Sequence, residues 1–126
     1  MKNRLTPGEW EIYECLWERS PMTLAQIRRR YVERTGQATS TAETVLSRME
    51  KKGLVHVEQG QRAKLFSPLF PREDAVKEET HSFLNRMYNG SPLSLVNAMV
   101  NSGELSDSDI DALYQLLEKE IGKRHD

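Results

Sequence analysis

Residues 39–55 of this 126-residue chain, TSTAETVLSRMEKKGLV, limit the possible folds more than any other segment. Apolar side chains recur in it at i, i+3, i+4 and i+7, which predicts an amphipathic helix with one buried stripe. That stripe consists of Ala42, Val45, Leu46 and Met49. Ser40 and Glu43 predict a capping box at the start of the helix. Gly53 after two lysines predicts its end, because glycine adopts the left-handed conformation that terminates helices.

The other face of this helix carries hydroxyl groups and cations but no carboxylate. Its residues are Ser40, Thr41, Thr44, Ser47, Arg48 and Lys51. Short hydrogen-bond donors and cations together suit the base edges and phosphates of a nucleic acid. A solvated face without a ligand is the alternative that this helix alone leaves open.

Directly after Gly53 the apolar period changes from 3.6 residues to 2, which indicates strands. Residues 54–58 and 62–66 predict a β-hairpin, with Gly60 supplying a positive φ in the turn. Arg62 and Lys64 are predicted to point to one face of the returning strand. Helices followed by a hairpin with cations near its tip predict a winged helix, whose third helix enters the major groove while the wing touches the flanking backbone.

Two further helices are predicted upstream. Thr6 and Glu9 predict a capping box for a first helix that is apolar around most of its circumference and therefore expected at the centre of the fold. Thr23 and Gln26 predict the same cap for a second helix, and Gly36 lies in the short turn to the third. The outer side of the second helix carries Arg28, Arg29, Arg30 and Arg34. This cluster fits a solubilising surface and a phosphate-binding surface equally well.

Residues 67–71, SPLFP, predict a linker between a domain of residues 1–70 and a domain of residues 71–126. The chain is thus predicted to be mainly α-helical, with one small hairpin in its first domain. The second domain has three predicted helices with more apolar residues than about 55 residues bury alone, which predicts a dimerisation domain. The residues expected at that interface are Phe83, Leu84, Met87, Leu95, Met99, Ile110, Leu113 and Leu117. Folding back onto the first helix is the alternative.

The net charge of −1 conceals an uneven distribution. Residues 1–70 hold 12 Lys and Arg against 8 Asp and Glu, whereas residues 71–126 hold 6 against 11. A basic first domain joined to an acidic second domain indicates that any polyanionic partner binds the first.

The sequence lacks the patterns of catalytic and cofactor sites. It has no nucleophile triad pattern, no phosphate-cradling glycine loop and no CxxC pair, and its three histidines are too far apart to predict a metal site. Cys15, the single cysteine, is expected to be a buried structural thiol, and its isolation fits a reducing compartment. No apolar run reaches the roughly 18 residues of a membrane span. We therefore expect a cytoplasmic protein that is not an enzyme and needs no cofactor or metal.

Four motifs are similar, in the same order, to those of the penicillinase repressor family, the BlaI and MecI type of transcriptional repressors with their copper-responsive relatives. The motifs are LTPGEWEIYECLW, STAETVLSRMEKKGLV, QGQRAKLFSP and SPLSLVNAMVNSGELSDSDIDALYQLL. The resemblance implies a homodimer with winged-helix heads on a helical dimerisation domain. It also implies that this dimer binds a palindromic TACA/TGTA-type operator in double-stranded DNA. It assigns the DNA contacts to Thr39, Ser40, Thr41, Thr44 and Arg48 on the third helix and to Arg62 and Lys64 on the wing. Lys51, on the same helix face, completes the predicted set.

Two features depart from the family's pattern. The copper-responsive relatives carry paired cysteines near the C-terminus, whereas this chain ends EKEIGKRHD, so a copper sensor of that kind is not expected. The β-lactam-responsive relatives are cut by a regulatory protease at an Asn-Phe bond after a Leu-Val pair. The corresponding region here is Asn97, Ala98 and Met99, with Ala98-Met99 in place of that bond. Cleavage at a different bond and a different inducing signal are both open.

Two other functions fit the same pattern. Winged helices also serve as protein-interaction modules, which the near-neutral net charge permits and the cationic wing disfavours. The other alternative is a regulator whose second domain binds a small effector and is not proteolysed, although no polar cluster there predicts a ligand pocket.

Overall fold

The computed structural model describes residues 5–125. The elements, in chain order, are α1 (Pro7–Glu18), β1 (Met22–Thr23), α2 (Leu24–Thr35), α3 (Thr39–Lys52), β2 (Val55–Gln59), β3 (Lys64–Pro68), α4 (Arg72–Tyr88), α5 (Pro92–Asn101) and α6 (Asp107–Arg124). This mainly helical composition with a small sheet confirms the predicted fold class. The chain divides into two compact units, Met1–Thr80 and His81–Asp126, with the division inside α4. The predicted domain limits at residues 1 and 126 lie outside the described part of the chain.

The sheet has three antiparallel strands in the order β1-β3-β2. The hairpin of β2 and β3 runs in register from Val55 opposite Pro68 to Gln59 opposite Lys64. On the other side of β3, Met22 pairs with Phe66. Strand β1 was not predicted from the sequence, because two residues are too short to show an alternating pattern.

Helix α1 lies at the centre of the first unit, as its broad apolar face predicts. Four of its side chains, Ile12, Tyr13, Cys15 and Leu16, are completely buried. They belong to one hydrophobic core with side chains from α2, α3 and the sheet, among them Ile27, Tyr31, Ala42, Met49 and Phe66. The predicted burial of the Cys15 thiol is confirmed.

Two of the predicted capping boxes are present and the third is not. The backbone N–H of Glu9 donates to Thr6 Oγ1 at 3.2 Å, and that of Thr6 donates to Glu9 Oε1 at 2.9 Å. Thr23 and Gln26 make the same reciprocal pair at the start of α2. The capping box predicted for Ser40 and Glu43 is wrong, because the N-cap of α3 lies two residues before Ser40.

The N-cap of α3 is Ala38, which offers no side-chain acceptor. The carboxylate of Glu43 instead forms an ion pair with Arg28 of α2, with 2.8 Å between Glu43 Oε1 and Arg28 Nη1. The predicted end of the helix is confirmed: Gly53 has a φ of 74°, and the N–H of Leu54 donates to Met49 O at 2.9 Å. This is a Schellman motif, which satisfies the last carbonyl groups of the helix.

The wing turn differs from its prediction in two respects. Gly60 does not have a positive φ. Glycine is needed there because a Cβ would lie 2.6 Å from the carbonyl oxygen of Ala63, to which the Gly60 N–H donates at 2.9 Å. Arg62 lies in the loop between the strands and not on the returning strand, which begins only at Lys64.

The second unit exposes most of its apolar side chains in the single chain. Ser91 caps α5, and Ser106 with Asp109 forms a capping box for α6. Neither helix contains a buried residue. Large apolar side chains that are exposed on them include Leu93, Val100, Ile110, Tyr114, Leu116, Leu117 and Ile121. No helix in the described part of the chain is long and apolar enough to cross a membrane.

Candidate nucleic-acid interface

The outer face of α3 presents the hydroxyl groups and cations expected from the sequence. Thr39, Ser40, Thr44, Arg48 and Lys51 are exposed, and Thr41 is half-buried at the edge of the face. The face lies opposite Ala42, Leu46 and Met49, which anchor the helix in the core. Thr44 Oγ1 donates to Ser40 O at 3.0 Å, so its lone pairs stay available as acceptors.

The cations predicted to contact DNA on α3 and the wing are not paired with carboxylates in the described part of the chain. Arg48, Lys51, Arg62 and Lys64 are exposed. Within residues 5–125, none of the four forms an ion pair. Phosphate groups on a duplex would therefore meet cations that have no competing carboxylate partner.

Most of the arginines of α2, by contrast, form ion pairs within the protein. Arg30 makes a two-pronged contact with Glu18, at 3.0 and 2.9 Å. Arg34 lies 2.9 Å from Glu11, and Arg28 pairs with Glu43. Three of the four arginines thus hold α2 against its neighbouring helices, whereas Arg29 is exposed and unpaired within the described residues. The sequence left two functions open for this cluster, and the geometry favours the structural one for these three.

Lys64 lies beside the start of α2. It shares a cleft of about 400 Å³ with Thr23, Leu24, Ala25 and Arg28. The wing strand and the first turn of α2 therefore border one recess, in which the amino-terminal end of the helix adds positive potential to the ammonium group.

An ion pair with a buried carboxylate, at the other end of α3, was not predicted. Glu9 of α1 is only 2% exposed and accepts from Lys52 Nζ at 2.6 Å. Burial would raise the pKa of Glu9, but hydrogen bonds from Lys52 and from the Thr6 backbone, together with the Lys52 charge, hold that pKa below its ordinary value. The sequence assigned Glu9 to a cap and Lys52 to the helix dipole. Nothing in a single sequence connects two residues 43 positions apart.

Tyr13 makes a second polar contact close by. Its hydroxyl donates to the carbonyl oxygen of Leu54, the residue after the Gly53 cap. Burial, with a smaller contribution from the charge of Glu9, raises the pKa of Tyr13 to about 12. The phenol is therefore neutral and acts as a donor throughout the physiological range.

Cys15 and the possible metal ligands are the remaining reactive groups of the described residues. Burial raises the pKa of the Cys15 thiol although Arg34 and Arg30 oppose the shift, so the sulfur is an unreactive core atom. Among residues 5–125, no group of three or more His, Cys, Asp or Glu side chains is placed to hold a metal ion.

The residues predicted for dimerisation and cleavage all lie in the helical segments after residue 80. Phe83, Leu84, Leu95 and Leu113 are half-buried in the single chain, and Met87, Met99, Ile110 and Leu117 are exposed. Asn97, Ala98 and Met99 lie in the middle of α5, where Asn97 and Met99 are exposed and Ala98 is half-buried.

Comparison with known proteins gives matches along nearly the whole chain. The family model described as penicillinase repressor matches residues 5–119. The penicillinase repressor of Bacillus licheniformis is 27% identical over 121 residues, which are 96% of this chain and 94% of that protein. The methicillin resistance regulatory protein MecI of Staphylococcus aureus is 24% identical over 115 residues, with coverages of 91% and 94%.

Two solved structures share the fold. The DNA-binding domain of the repressor BlaI superposes with a TM-score of 0.51 at 21% identity and covers 59% of this chain and 93% of that domain. A MarR family protein from Bacillus stearothermophilus has a TM-score of 0.51 at 21% identity, with coverages of 98% and 78%. The first likeness confirms the predicted winged helix.

Proposed function

The chain belongs to the penicillinase repressor family, a family of DNA-binding repressors and not of enzymes, and we propose that it represses transcription in the cytoplasm as a homodimer bound to a pseudo-palindromic operator. The observation that carries the proposal is the contrast between two sets of cations. Arg48 and Lys51 of α3 and Arg62 and Lys64 of the wing are exposed and unpaired within the described residues, whereas three of the four arginines on α2 are neutralised internally.

In the proposed complex α3 lies in the major groove. Thr39, Ser40, Thr41 and Thr44 supply short donors and acceptors to bases and phosphates, and Arg48 supplies the fork that pairs best with guanine. Arg62 and Lys64 contact the backbone beside the groove. An operator of TACA/TGTA type is proposed from the family resemblance, with half-sites about one helical turn or a multiple of it apart because a symmetric dimer contacts two equivalent sites.

Dimerisation is proposed for the second unit because it leaves too much apolar surface open to be stable in water. Helices α5 and α6 have no buried residue in the single chain, and Leu93, Tyr114 and Leu116 are each more than 60% exposed. Apolar patches of that kind mark interaction surfaces. A second copy of the same helices would cover them with an isologous interface.

We further propose that repression ends when a regulatory protease cuts α5 near Asn97, Ala98 and Met99. Proteases act on extended backbone, so this helix must open locally before it is cut. Helix α5 has 10 residues and no buried side chain of its own, and isolated helices shorter than about 12 residues are marginal in water. Its integrity would therefore depend on the dimer interface, and a cut there would separate the two DNA-binding heads.

Selection from random double-stranded DNA tests the central proposal. The purified protein is allowed to bind at two salt concentrations, and the retained DNA is sequenced, with the Arg48→Ala variant as a matched selection. Enrichment of a palindrome that weakens in the Arg48→Ala selection supports the repressor. A folded, dimeric protein that enriches no sequence refutes it and favours the protein-interaction module.

A further inference from the structure

Helix α1 makes two polar contacts with the junction between the recognition helix and the wing. Glu9 and Tyr13 lie one helical turn apart on α1, and their partners, Lys52 and Leu54, flank the Gly53 cap. Glu9 Oε2 accepts from Lys52 Nζ at 2.6 Å, and the Tyr13 hydroxyl donates to Leu54 O. The last residue of α3 and the residue before β2 are therefore both attached to the same central helix.

The α1 side of this attachment lies in the interior, whereas the Lys52 side chain is 38% exposed. Tyr13 is completely buried, and the charged side chain of Glu9 is buried with it at 2% exposure. Both oxygens of Glu9 are used, because Oε1 accepts the Thr6 N–H at 2.9 Å while Oε2 accepts from Lys52. Because the carboxylate of Glu9 is buried, its desolvation offsets much of its attraction to Lys52, and the best-attested use of such a pair is to select one arrangement among several.

We propose that Glu9 and Tyr13 are positioning residues for DNA binding, which set the angle between α3 and the wing so that both meet the same duplex. The inference rests on the proposed DNA-binding function. The Schellman turn at Gly53 is the hinge of that angle, since only Gly53, which is left-handed, and Leu54 join the two elements. The polar contacts on either side of Gly53 fix the hinge without touching DNA.

The test separates orientation from stability. Glu9→Gln keeps the acceptor for the Thr6 N–H and removes the charge opposite Lys52. Tyr13→Phe removes the hydroxyl and changes no charge. The matched control for the first is Glu18→Gln, which removes one charge from the other end of α1 and breaks its ion pair with Arg30 of α2, away from the junction. The control for the second is Ile12→Val, which removes one buried methyl group from α1 and no hydrogen bond.

The measurement is the ratio of affinities for the DNA selected by the wild-type protein and for random duplex, at fixed salt and with folding checked by circular dichroism. We expect Glu9→Gln and Tyr13→Phe to lower this ratio at least about tenfold, the scale of one lost base contact. In Tyr13→Phe the slope of log affinity against log salt should also become shallower, by up to about 3.6 if the two wing cations of each protomer lose their phosphates. Both control variants should keep the wild-type ratio and slope.

Two failures have different meanings. If the wild-type protein does not distinguish selected from random DNA, the DNA-binding function itself is refuted. If the wild type discriminates and folded Glu9→Gln and Tyr13→Phe discriminate equally well, the positioning role is refuted. A loss of the ratio in Ile12→Val as large as in Tyr13→Phe also overturns the inference, because stability alone would then explain the effect.

Discussion

The wing cations give the sharpest prediction, because the structure distinguishes them from the paired cations on α2. The perturbation is the double substitution Arg62→Gln and Lys64→Gln. Its matched control is Arg30→Gln and Arg34→Gln, which removes the same charge from the same unit. The first pair is exposed and unpaired within residues 5–125, and the second pair is bound to Glu18 and Glu11.

The expected magnitude follows from counting phosphates. The predicted DNA-contact set contains four unpaired cations per protomer and eight per proposed dimer, namely Arg48, Lys51, Arg62 and Lys64. At about 0.9 counterions released per phosphate contact, the slope of log affinity against log salt is about −7 for the wild type. Between 50 and 200 mM salt the affinity should then fall about 10⁴-fold. The wing variant loses four contacts per dimer, so its slope should be about −3.6 and its affinity should fall only about 100-fold over that range.

The α2 variant should keep the wild-type slope. Its freed glutamates lower the affinity at every salt concentration but create and remove no phosphate contact. Fluorescence anisotropy of a labelled operator duplex, titrated at several salt concentrations, measures the slopes, and sedimentation verifies that each variant is dimeric. Equal slopes for the wing variant and the wild type would refute the assignment. So would an equal reduction in the two variants, because paired and unpaired cations would then be equivalent.

Three further outcomes are expected. Arg48→Ala should cost about 1–3 kcal/mol on operator DNA and relax the preference at one base position, whereas equal losses on operator and random DNA would show that Arg48 touches phosphate alone. Leu117→Asp should raise the dimer dissociation constant at least about 100-fold, because each protomer loses the burial of one leucine, worth about 1.5–3 kcal/mol. The control Gln115→Asp adds the same charge and should remain dimeric in sedimentation. Because the folded-state pKa of Glu9 is depressed, its stabilising contribution is present above the ordinary value of 4.5 and is lost as the pH falls through the folded-state pKa. The free energy of unfolding of the wild type, measured in denaturant, should therefore approach that of Glu9→Gln as the pH is lowered below 4.5, and a constant difference down to pH 2 would contradict it.

Signals that act within a few residues were predicted correctly from the sequence. The caps at Thr6 and Thr23 and the stop at Gly53 each depend on partners three to five positions away. The capping box at Ser40 failed because α3 starts at Thr39 and Glu43 has a better partner in Arg28, on another helix. The position of Gly60 in the hairpin was predicted, but the reason why glycine is needed there was not. That reason is the short distance between Gly60 and the carbonyl oxygen of Ala63, which depends on the path of the loop.

The sequence by itself determined the helices, the hairpin and the family, because periodicity, caps and ordered motifs are local properties of the chain. The sequence also showed which helices and strands carry the Lys and Arg side chains, but it could not show which of these side chains lack a carboxylate partner. That was decided by the packing of α1, whose glutamates at positions 11 and 18 face Arg34 and Arg30 and whose Glu9 reaches Lys52. The physical reason is that an ion pair between two helices depends on how the helices cross, which is a property of the packed core. A cation that is exposed and has no carboxylate partner stays available for DNA.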